Sequence, residues 1–322
     1  MNKSQTGTTL IELMISLVLS LSLIAGIGSL FQQMQKSNGA QHAINDIMDD
    51  SRYALEILQK EIRYTGGLRA ATSRNGTSAF IFLDINPETN PALPVSPPGS
   101  LLLGRDVHPL NLPQNVQFNF ANSQYINADL TNAPANDSFM VRYQLVNNGD
   151  LNLDVQNNSS SPCTQNSLKD TLYLNPGDPT EAHVVTVYFF VQNGSLACTS
   201  QRVVFNPTNP ATIFCRSNCQ LTDSPAILID NVARFVASYG VNTDNDFSAN
   251  YYVSAPNVPV APTDLWPRIL SLRLALVLKS ERDNLTQIKV PYYVNGVATT
   301  PTDFRIYRVF STTIALRNQI LQ

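Results

Sequence analysis

The sequence predicts an α+β fold, in which a long N-terminal helix packs on an antiparallel β-sheet domain with long loops. A helical pattern of apolar residues runs through the first part of the chain, up to about residue 66. From about residue 70, short segments rich in Val, Ile, Tyr and Phe alternate with Asn, Gly, Pro and Asp. The first pattern is typical of a helix and the second of strands joined by turns.

The composition favours a loop-rich β surface. The 322 residues suffice for one large domain or two ordinary ones. Apolar residues make up 43%, but only 14% are charged, against about 25% in an average protein. Asn, Gln, Ser, Thr and 20 prolines take their place. The net charge of -3 and pI of about 5.6 do not indicate the basic surface that nucleic-acid binding requires.

A membrane-length apolar stretch lies near the start. No charged side chain occurs from Leu13 to Gln35. As a helix this stretch would extend about 35 Å, enough to cross a hydrocarbon core of about 30 Å. A cleaved secretory signal would have a shorter apolar run and a small-residue cleavage site after it. A plain signal anchor fits better, but it leaves Glu12 unexplained, directly before the apolar run.

The helical pattern continues as an amphipathic helix from about residue 40. Its predicted apolar stripe consists of Ile44, Ile47, Met48, Ala54, Leu55, Ile57, Leu58 and Ile62. Its predicted polar face consists of Asp49, Asp50, Arg52, Glu56, Lys60, Glu61 and Arg63. Gly66 and Gly67 are expected to end the helix. Gly26, Gly28 and Gly39 are weak points, each costing about 1 kcal/mol relative to Ala.

The segment "GTTLIELM" after a short polar leader resembles the class III signal of type IV prepilins. The resemblance implies cleavage after Gly7, an N-methylated Thr8 as the first mature residue, and Glu12 as the fifth. It divides the chain into a leader (1–7), a helix (8–66, membrane-spanning at about 13–35) and a globular domain (67–322). Phe usually stands where this chain has Thr8, which puts N-methylation in question but not cleavage.

This resemblance gives Glu12 a role. A carboxylate at membrane depth is costly and is by default a functional candidate. Its natural partner is the α-amine that cleavage creates on Thr8 of a neighbouring subunit. Two desolvated charges offset their burial cost only in the correct geometry. The pair would therefore favour the correct register between neighbouring subunits of a filament.

The rest of the chain contains eight predicted strands, at 79–85, 138–146, 183–192, 201–206, 234–241, 269–280, 288–294 and 307–318. In the sixth, Leu270, Leu272, Leu274, Leu276 and Leu278 form one row, which we expect on the core face of a sheet. Arg273 lies on the other row and is expected to be solvated or paired. The Pro/Asn-rich segments 86–135 and 242–267 are predicted loops.

Further blocks resemble the PilW-type minor pilins. "RYALEILQKEIRYTGG" is similar to the pattern R-x-A-L-x-x-L-x-x-[DE]-[IL]-R-x-x-G at the helix end of that family. "DSFMVRY", "LIDNVARFVASYGVNTD", "WPRILSLRLALVLKS" and "YRVFSTTIALRN" follow in the family's order. The resemblance implies a minor pilin that helps to initiate pilus assembly, in a tip complex with other minor pilins.

The implied partners are other minor and major pilins, the prepilin peptidase and the inner-membrane assembly platform. The implied location is the inner membrane of a Gram-negative bacterium, with a single span and a periplasmic C-terminal domain, and then the pilus. A J-type minor pseudopilin of type II secretion shares the leader and helix, and it remains an alternative. A membrane-anchored surface adhesin or enzyme is an alternative of another class.

Enzymatic chemistry and cofactors are not expected. Motifs of zinc proteases, serine hydrolases and NTPases are absent from the sequence. His42, His108 and His183 have no second ligand at metal-binding spacing. "DNDFSAN" places Asp244, Asp246, Ser248 and Asn250 at alternate positions, as in calcium loops. Ala249 and Ala255 stand where such a loop needs Gly and Glu, so an Asp/Asn-rich turn is the simpler interpretation.

The four cysteines are Cys163, Cys198, Cys215 and Cys219. Their even number in a Ser/Asn-rich chain of low charge fits an oxidising compartment. Sequence alone allows three pairings, of which we favour Cys163–Cys198 with Cys215–Cys219, because "CRSNC" can close a small loop. A four-thiolate zinc site is the alternative, although only one tight Cys pair is present.

Overall fold

The computed structural model describes residues 10–65, 102–105, 136–145, 161–164, 182–206, 209–217, 225–244, 246, 248–259, 265 and 268–316. One helix, α1 (Leu10–Tyr64), precedes all the strands. The described strands are β1 (Leu102–Arg105), β2 (Ser138–Leu145), β3 (Ala182–Gln192), β4 (Ser195–Asn206), β5 (Asn209–Ser217), β6 (Ala226–Ile229), β7 (Val232–Val241), β8 (Tyr251–Val253), β9 (Ile269–Lys279), β10 (Tyr292–Val294), β11 (Val297–Thr299) and β12 (Tyr307–Ala315). The predicted α+β class is confirmed.

The strands form two antiparallel sheets and a separate hairpin. The first sheet has the order β1-β2-β3-β4-β5, and β6 pairs with another part of β4. The second sheet has the order β12-β9-β7-β8, and β10 pairs with β11. The two sheets meet where β2 begins, because the Asp137 carboxylate accepts a hydrogen bond from Ala237 N at 2.8 Å and Asn136 accepts one from Phe235 N at 2.8 Å.

One apolar core joins both sheets to α1. Phe235 on β7 contacts Phe139 on β2 with ring centroids 5.9 Å apart, and Phe139 stacks on Phe189 of β3 at 5.1 Å. Ala54, Leu58 and other residues of the second half of α1 belong to the same buried cluster. α1 lies against β2, β6, β9 and β12. The helix is therefore part of the domain's core from its middle to its end.

α1 is one continuous helix that passes through all three weak points and ends at Tyr64. Its buried residues are Ile47, Ser51, Ala54, Leu58, Glu61 and Ile62. The predicted stripe was wrong at Met48, which is 43% exposed. The predicted polar face was wrong at Glu61, which is buried. Both errors have one cause, because the face of α1 that contacts the sheets is centred on the line through Ala54, Leu58 and Glu61. Glu61 therefore faces the sheets, and Met48 lies at the edge of that face.

The leucine row of β9 lies on the core face, as predicted. Leu272, Leu274 and Leu276 are completely buried. The opposite row is covered at Ala275 and Val277, which pack with Val294 of the β10–β11 hairpin. β9 pairs with β7 on one side and β12 on the other, so it is the central strand of its sheet.

Two Asn-Gly pairs turn the chain at β-hairpins. Asn193 and Gly194 have φ of 52° and 80°, and Asn295 and Gly296 have φ of 49° and 81°. Two successive positive φ angles are the signature of the type I′ turn, whose twist matches that of the flanking strands. These turns join β3 to β4 and β10 to β11.

Several strand predictions differ in extent. The prediction at 288–294 was wrong except for Tyr292–Val294, since Pro291 has no N–H for a ladder. The loop predictions were wrong at β1 and β8, and β5, β6 and β11 were not predicted at all. The predicted strand 79–85 and most of segment 86–135 lie outside the described residues.

The close approach of β7 to the segment that precedes β9 gives a testable role to Gly240. A Cβ atom at Gly240 would lie 2.9 Å from Ala249 Cβ and 3.0 Å from Tyr252 Cε1, and closer still to Ser271 Oγ. We expect Gly240→Ala to lower the free energy of unfolding by about 1–3 kcal/mol, the usual cost of overpacking. Denaturant unfolding measures it. Adding Ser271→Ala removes the nearest obstacle and should restore part of the loss; no recovery would contradict this explanation.

Candidate functional site

The first half of α1 exposes a continuous apolar surface. Every large apolar side chain from Leu10 to Met34 is more than half exposed. By length and composition this part of the helix can cross a membrane. An exposed apolar surface of this extent marks an interaction with lipid or with other proteins. The predicted span at about 13–35 lies within this part of α1 and stays a prediction.

The serines of this segment are compatible with an apolar environment. Ser16 Oγ donates a hydrogen bond to Leu13 O at 2.9 Å, and Ser20 Oγ donates one to Ser16 O at 2.7 Å. Ser22 and Ser29 make equivalent bonds to carbonyl groups three residues earlier. Because a hydroxyl without a partner is costly in hydrocarbon, these internal bonds lower the cost of burying the helix in lipid or among other helices.

Glu12 lies in the first turn of α1 and is exposed. A carboxylate there interacts favourably with the positive end of the helix dipole. Of the residues predicted to act with it, Gly7 and Thr8 lie outside the described residues. The intersubunit pairing of Glu12 with Thr8 stays a prediction.

A buried polar cluster lies at the other end of α1. Glu61 is 2% exposed, and its carboxylate is hydrogen-bonded to the Tyr143 side chain on β2 and the Ser161 side chain. The Glu61 Oε2 atom has no hydrogen-bond partner among the described residues. Burial raises the pKa of Glu61, although both hydrogen bonds and the nearby Lys60 charge act in the opposite direction.

The Cys163–Cys198 disulfide holds the segment that carries Ser161. The two Cα atoms are 5.2 Å apart, and the bond links segment 161–164 to β4 across 35 residues of sequence. This pairing is the one predicted. Cys219 lies outside the described residues, and the side chain of Cys215 on β5 is not described. The Cys215–Cys219 pairing therefore stays a prediction.

The Asp/Asn-rich turn at 242–250 is closed by bonds among its own side chains. Asn250 Nδ2 donates to Asp244 Oδ2 at 2.9 Å, and Ser248 N donates to Asp246 Oδ1 at 2.8 Å. Asn250 Oδ1 accepts a bond from Thr243 N at 2.7 Å. The hydrogen bond from Asn250 holds the pKa of Asp244 below its usual value. The four calcium candidates thus bond to each other and to neighbouring backbone in the turn, and calcium binding stays untested.

The remaining candidates do not converge. His42 is exposed on α1, His108 lies outside the described residues, and the side chain of His183 on β3 is not described. Within the described ranges, no group of three or more His, Cys, Asp or Glu could hold a metal ion. Arg273 is exposed, with its guanidinium 3.9 Å from the centroid of the Tyr252 ring, so the expected solvated or paired state takes the form of a cation–π contact.

Glu61 is the candidate that sequence reasoning missed. It was assigned to the solvated face because of its charge. One signal separated it from Glu56 and Asp49: the pattern of the helix-end block, R-x-A-L-x-x-L-x-x-[DE], has its acidic position at Glu61. A fixed acidic position within a helix that packs on a sheet indicates a specific contact.

Comparison with known proteins relates the second part of the chain to pilus assembly. Residues 188–318 match the model of the family PilW, described as type IV pilus-assembly protein W. The predicted resemblance is thereby confirmed over a range that runs from within β3 to just beyond β12. Among solved structures, a type IV-like pilin from Thermus thermophilus matches at 13% identity with a TM-score of 0.31, covering 58% of this chain and 82% of its own. No curated protein matches the sequence.

Proposed function

We propose that this chain is a minor pilin, because residues 188–318 match the model of the family PilW, type IV pilus-assembly protein W. The observation that carries the proposal is the combination of that match with a helix whose first half is apolar and exposed and whose second half is part of the domain core. A helix of this kind can be anchored in a membrane and then packed among the helices of a filament. The role is structural rather than catalytic.

In this proposal the chain has three parts: a leader at residues 1–7, a helix at 8–66 and a globular domain at 67–322. The prepilin peptidase removes the leader after Gly7. The mature chain is then held in the inner membrane with its C-terminal domain in the periplasm. The periplasm is an oxidising compartment, in which a disulfide such as Cys163–Cys198 persists. The assembly platform then adds it to a tip complex with other minor pilins, above the major pilin.

Glu12 would fix the register of the subunit in that complex. Its carboxylate neutralises the α-amine of Thr8 on a neighbouring subunit once both leave water. The pair is stabilising only when the two groups meet, because either charge alone would be buried without compensation. The exposed apolar surface from Leu10 to Met34 supplies the affinity between subunits, and the charge pair supplies the register.

Deletion of the gene distinguishes a minor pilin from a J-type minor pseudopilin of type II secretion. We expect the deletion strain to lose surface pili in electron microscopy and to lose twitching motility, while secretion of type II substrates stays at the parental level. Expression of the full chain from a plasmid should restore pili. Loss of secretion with normal pili would favour the pseudopilin, and no change in either assay would overturn both assignments.

A further inference from the structure

Glu61 is a carboxylic residue on a buried helix face whose other members are apolar except for Ser51. Its neighbours on this face, Leu58 and Ile62, are completely buried. The Glu61 carboxylate reaches across the contact between α1 and the first sheet, to Tyr143 on β2 and to Ser161 in segment 161–164. It is thus a polar link between the end of α1 and two separate parts of the domain.

The Ser161 side of this link is held in place. Thr164 N donates to Ser161 O at 2.9 Å, Cys163 N donates to Ser161 Oγ at 3.3 Å, and Ser161 is itself buried. The Cys163–Cys198 disulfide ties the same segment to β4. Because these bonds fix Ser161, the hydroxyl cannot move far to follow the carboxylate.

The charges around Glu61 are few. On α1 the adjacent Lys60 acts favourably on the carboxylate, and Tyr143 is the ionisable group that faces it from β2. Segment 161–164 contributes Ser, Pro, Cys and Thr and therefore no charge. Burial holds the pKa of Tyr143 well above its usual value, so this hydroxyl stays protonated and donates to Glu61. An ionised Glu61 is consequently buried with two hydroxyl donors and no buried cation among the described residues.

We propose that Glu61 is a proton-dependent latch, which fastens the end of α1 to β2 and to the disulfide-held segment 161–164 when its carboxyl is protonated and weakens that contact when it is ionised. The latch does not depend on the proposed role in pilus assembly. It makes the attachment of the helix end to the sheet domain sensitive to the pH of the compartment around the domain.

The direction of the pKa shift of Glu61 determines whether its contribution to stability rises or falls with pH. Burial raises the pKa of Glu61 in the folded protein above its value in the unfolded chain. Its contribution to stability is therefore complete below the unfolded pKa, about 4.3, and is lost as the pH rises through the folded pKa. Between these two values the opening equilibrium of the helix end rises by up to tenfold per pH unit, and above the folded pKa it levels off.

Hydrogen exchange of the full-length protein in detergent micelles tests the latch. Protection factors of residues 55–65, corrected for intrinsic exchange rates, are compared between pH 4 and pH 8 with those of β7 as an internal reference. In the wild type we expect protection of the helix end to fall as the pH rises. Glu61→Gln has the same shape without the charge, so its protection should be independent of pH and at least equal to that of the wild type at pH 8.

Glu56→Gln is the matched control, since Glu56 is exposed on the same helix. It should keep the pH dependence of the wild type. Titration by carboxyl NMR should place the pKa of Glu61 above that of glutamate in an unfolded chain, about 4.3. The latch is overturned if Glu61→Gln and wild type show the same pH profile, or if Glu61 titrates at or below that reference value. These results leave pilus assembly untouched, so the latch and the proposed function can fail independently.

Discussion

Glu12→Ala is expected to leave removal of the leader intact and to abolish incorporation of the subunit into pili. In the proposed filament the substitution would leave the α-amine of a neighbouring subunit's Thr8 buried without its counter-charge. Breaking a buried pair in this way costs about 3–5 kcal/mol. At 1.4 kcal/mol for each factor of ten, the equilibrium for adding the subunit falls at least about 100-fold. The measurement is the amount of the protein in sheared pili, relative to the amount in membranes.

Two further variants test two separate points. One asks whether the charge of Glu12 matters rather than the shape of its side chain, and the other asks whether the leader is removed after Gly7. Glu12→Gln keeps the length of the side chain, so it should fail as Glu12→Ala does if the charge is what matters. Replacing Gly7 by a bulky residue should block cleavage, which is visible as an unchanged mass in the membrane fraction. Normal incorporation of Glu12→Gln would contradict the charge pair, and normal processing of the Gly7 variant would contradict the leader.

Replacement of both Cys163 and Cys198 by serine is expected to cost about 4 kcal/mol of folding free energy. The disulfide closes a loop with a sequence separation of 35 residues, and the chain-entropy relation gives roughly 4 kcal/mol for a loop of this length. The same change releases segment 161–164 and with it the Ser161 hydroxyl that bonds to Glu61. Denaturant unfolding of the oxidised wild type and the double variant measures the loss.

Reduction of the wild type by a thiol reagent is the matched control, because it breaks the same bond without changing a residue. Its effect should be at least as large as that of the double variant, because reduction also breaks the predicted Cys215–Cys219 bond. If the double variant unfolds at the same denaturant concentration as the oxidised wild type, the disulfide contributes nothing to stability. If only the reduced wild type is destabilised, the loss arises elsewhere, for example at a bond between Cys215 and Cys219.

The sequence predicted those parts of the fold that local patterns determine. α1 was predicted because its apolar and polar positions recur at helical spacing, and β9 because its five leucines alternate along one face. Strands β1 and β8 were missed because they lie in segments rich in Asn and Pro. What makes them strands is pairing with β2 and β7, which composition does not encode.

The residues of the candidate site likewise differ in whether the sequence predicted them. The Cys163–Cys198 pair was predicted from the number and spacing of the cysteines. The role of Glu12 was implied by the resemblance to prepilins and stays a prediction. Glu61 was missed because a charged residue on a helix is normally solvated. Its burial depends on two hydroxyls from β2 and segment 161–164, which are distant in the sequence, and only the fold brings them to the helix.

The continuity of α1 sets how far the sheet domain stands from a membrane. With the apolar side chains up to Met34 inside the hydrocarbon, only about 7.5 Å of helix separates them from Gly39, which already packs near Leu285 of the domain. This length is close to the thickness of one headgroup layer, about 5–8 Å. In the proposed membrane-anchored state the domain would therefore begin where the bilayer ends. Because the helix is rigid there, one residue inserted between Met34 and Gly39 would turn the whole domain by about 100° about the membrane normal.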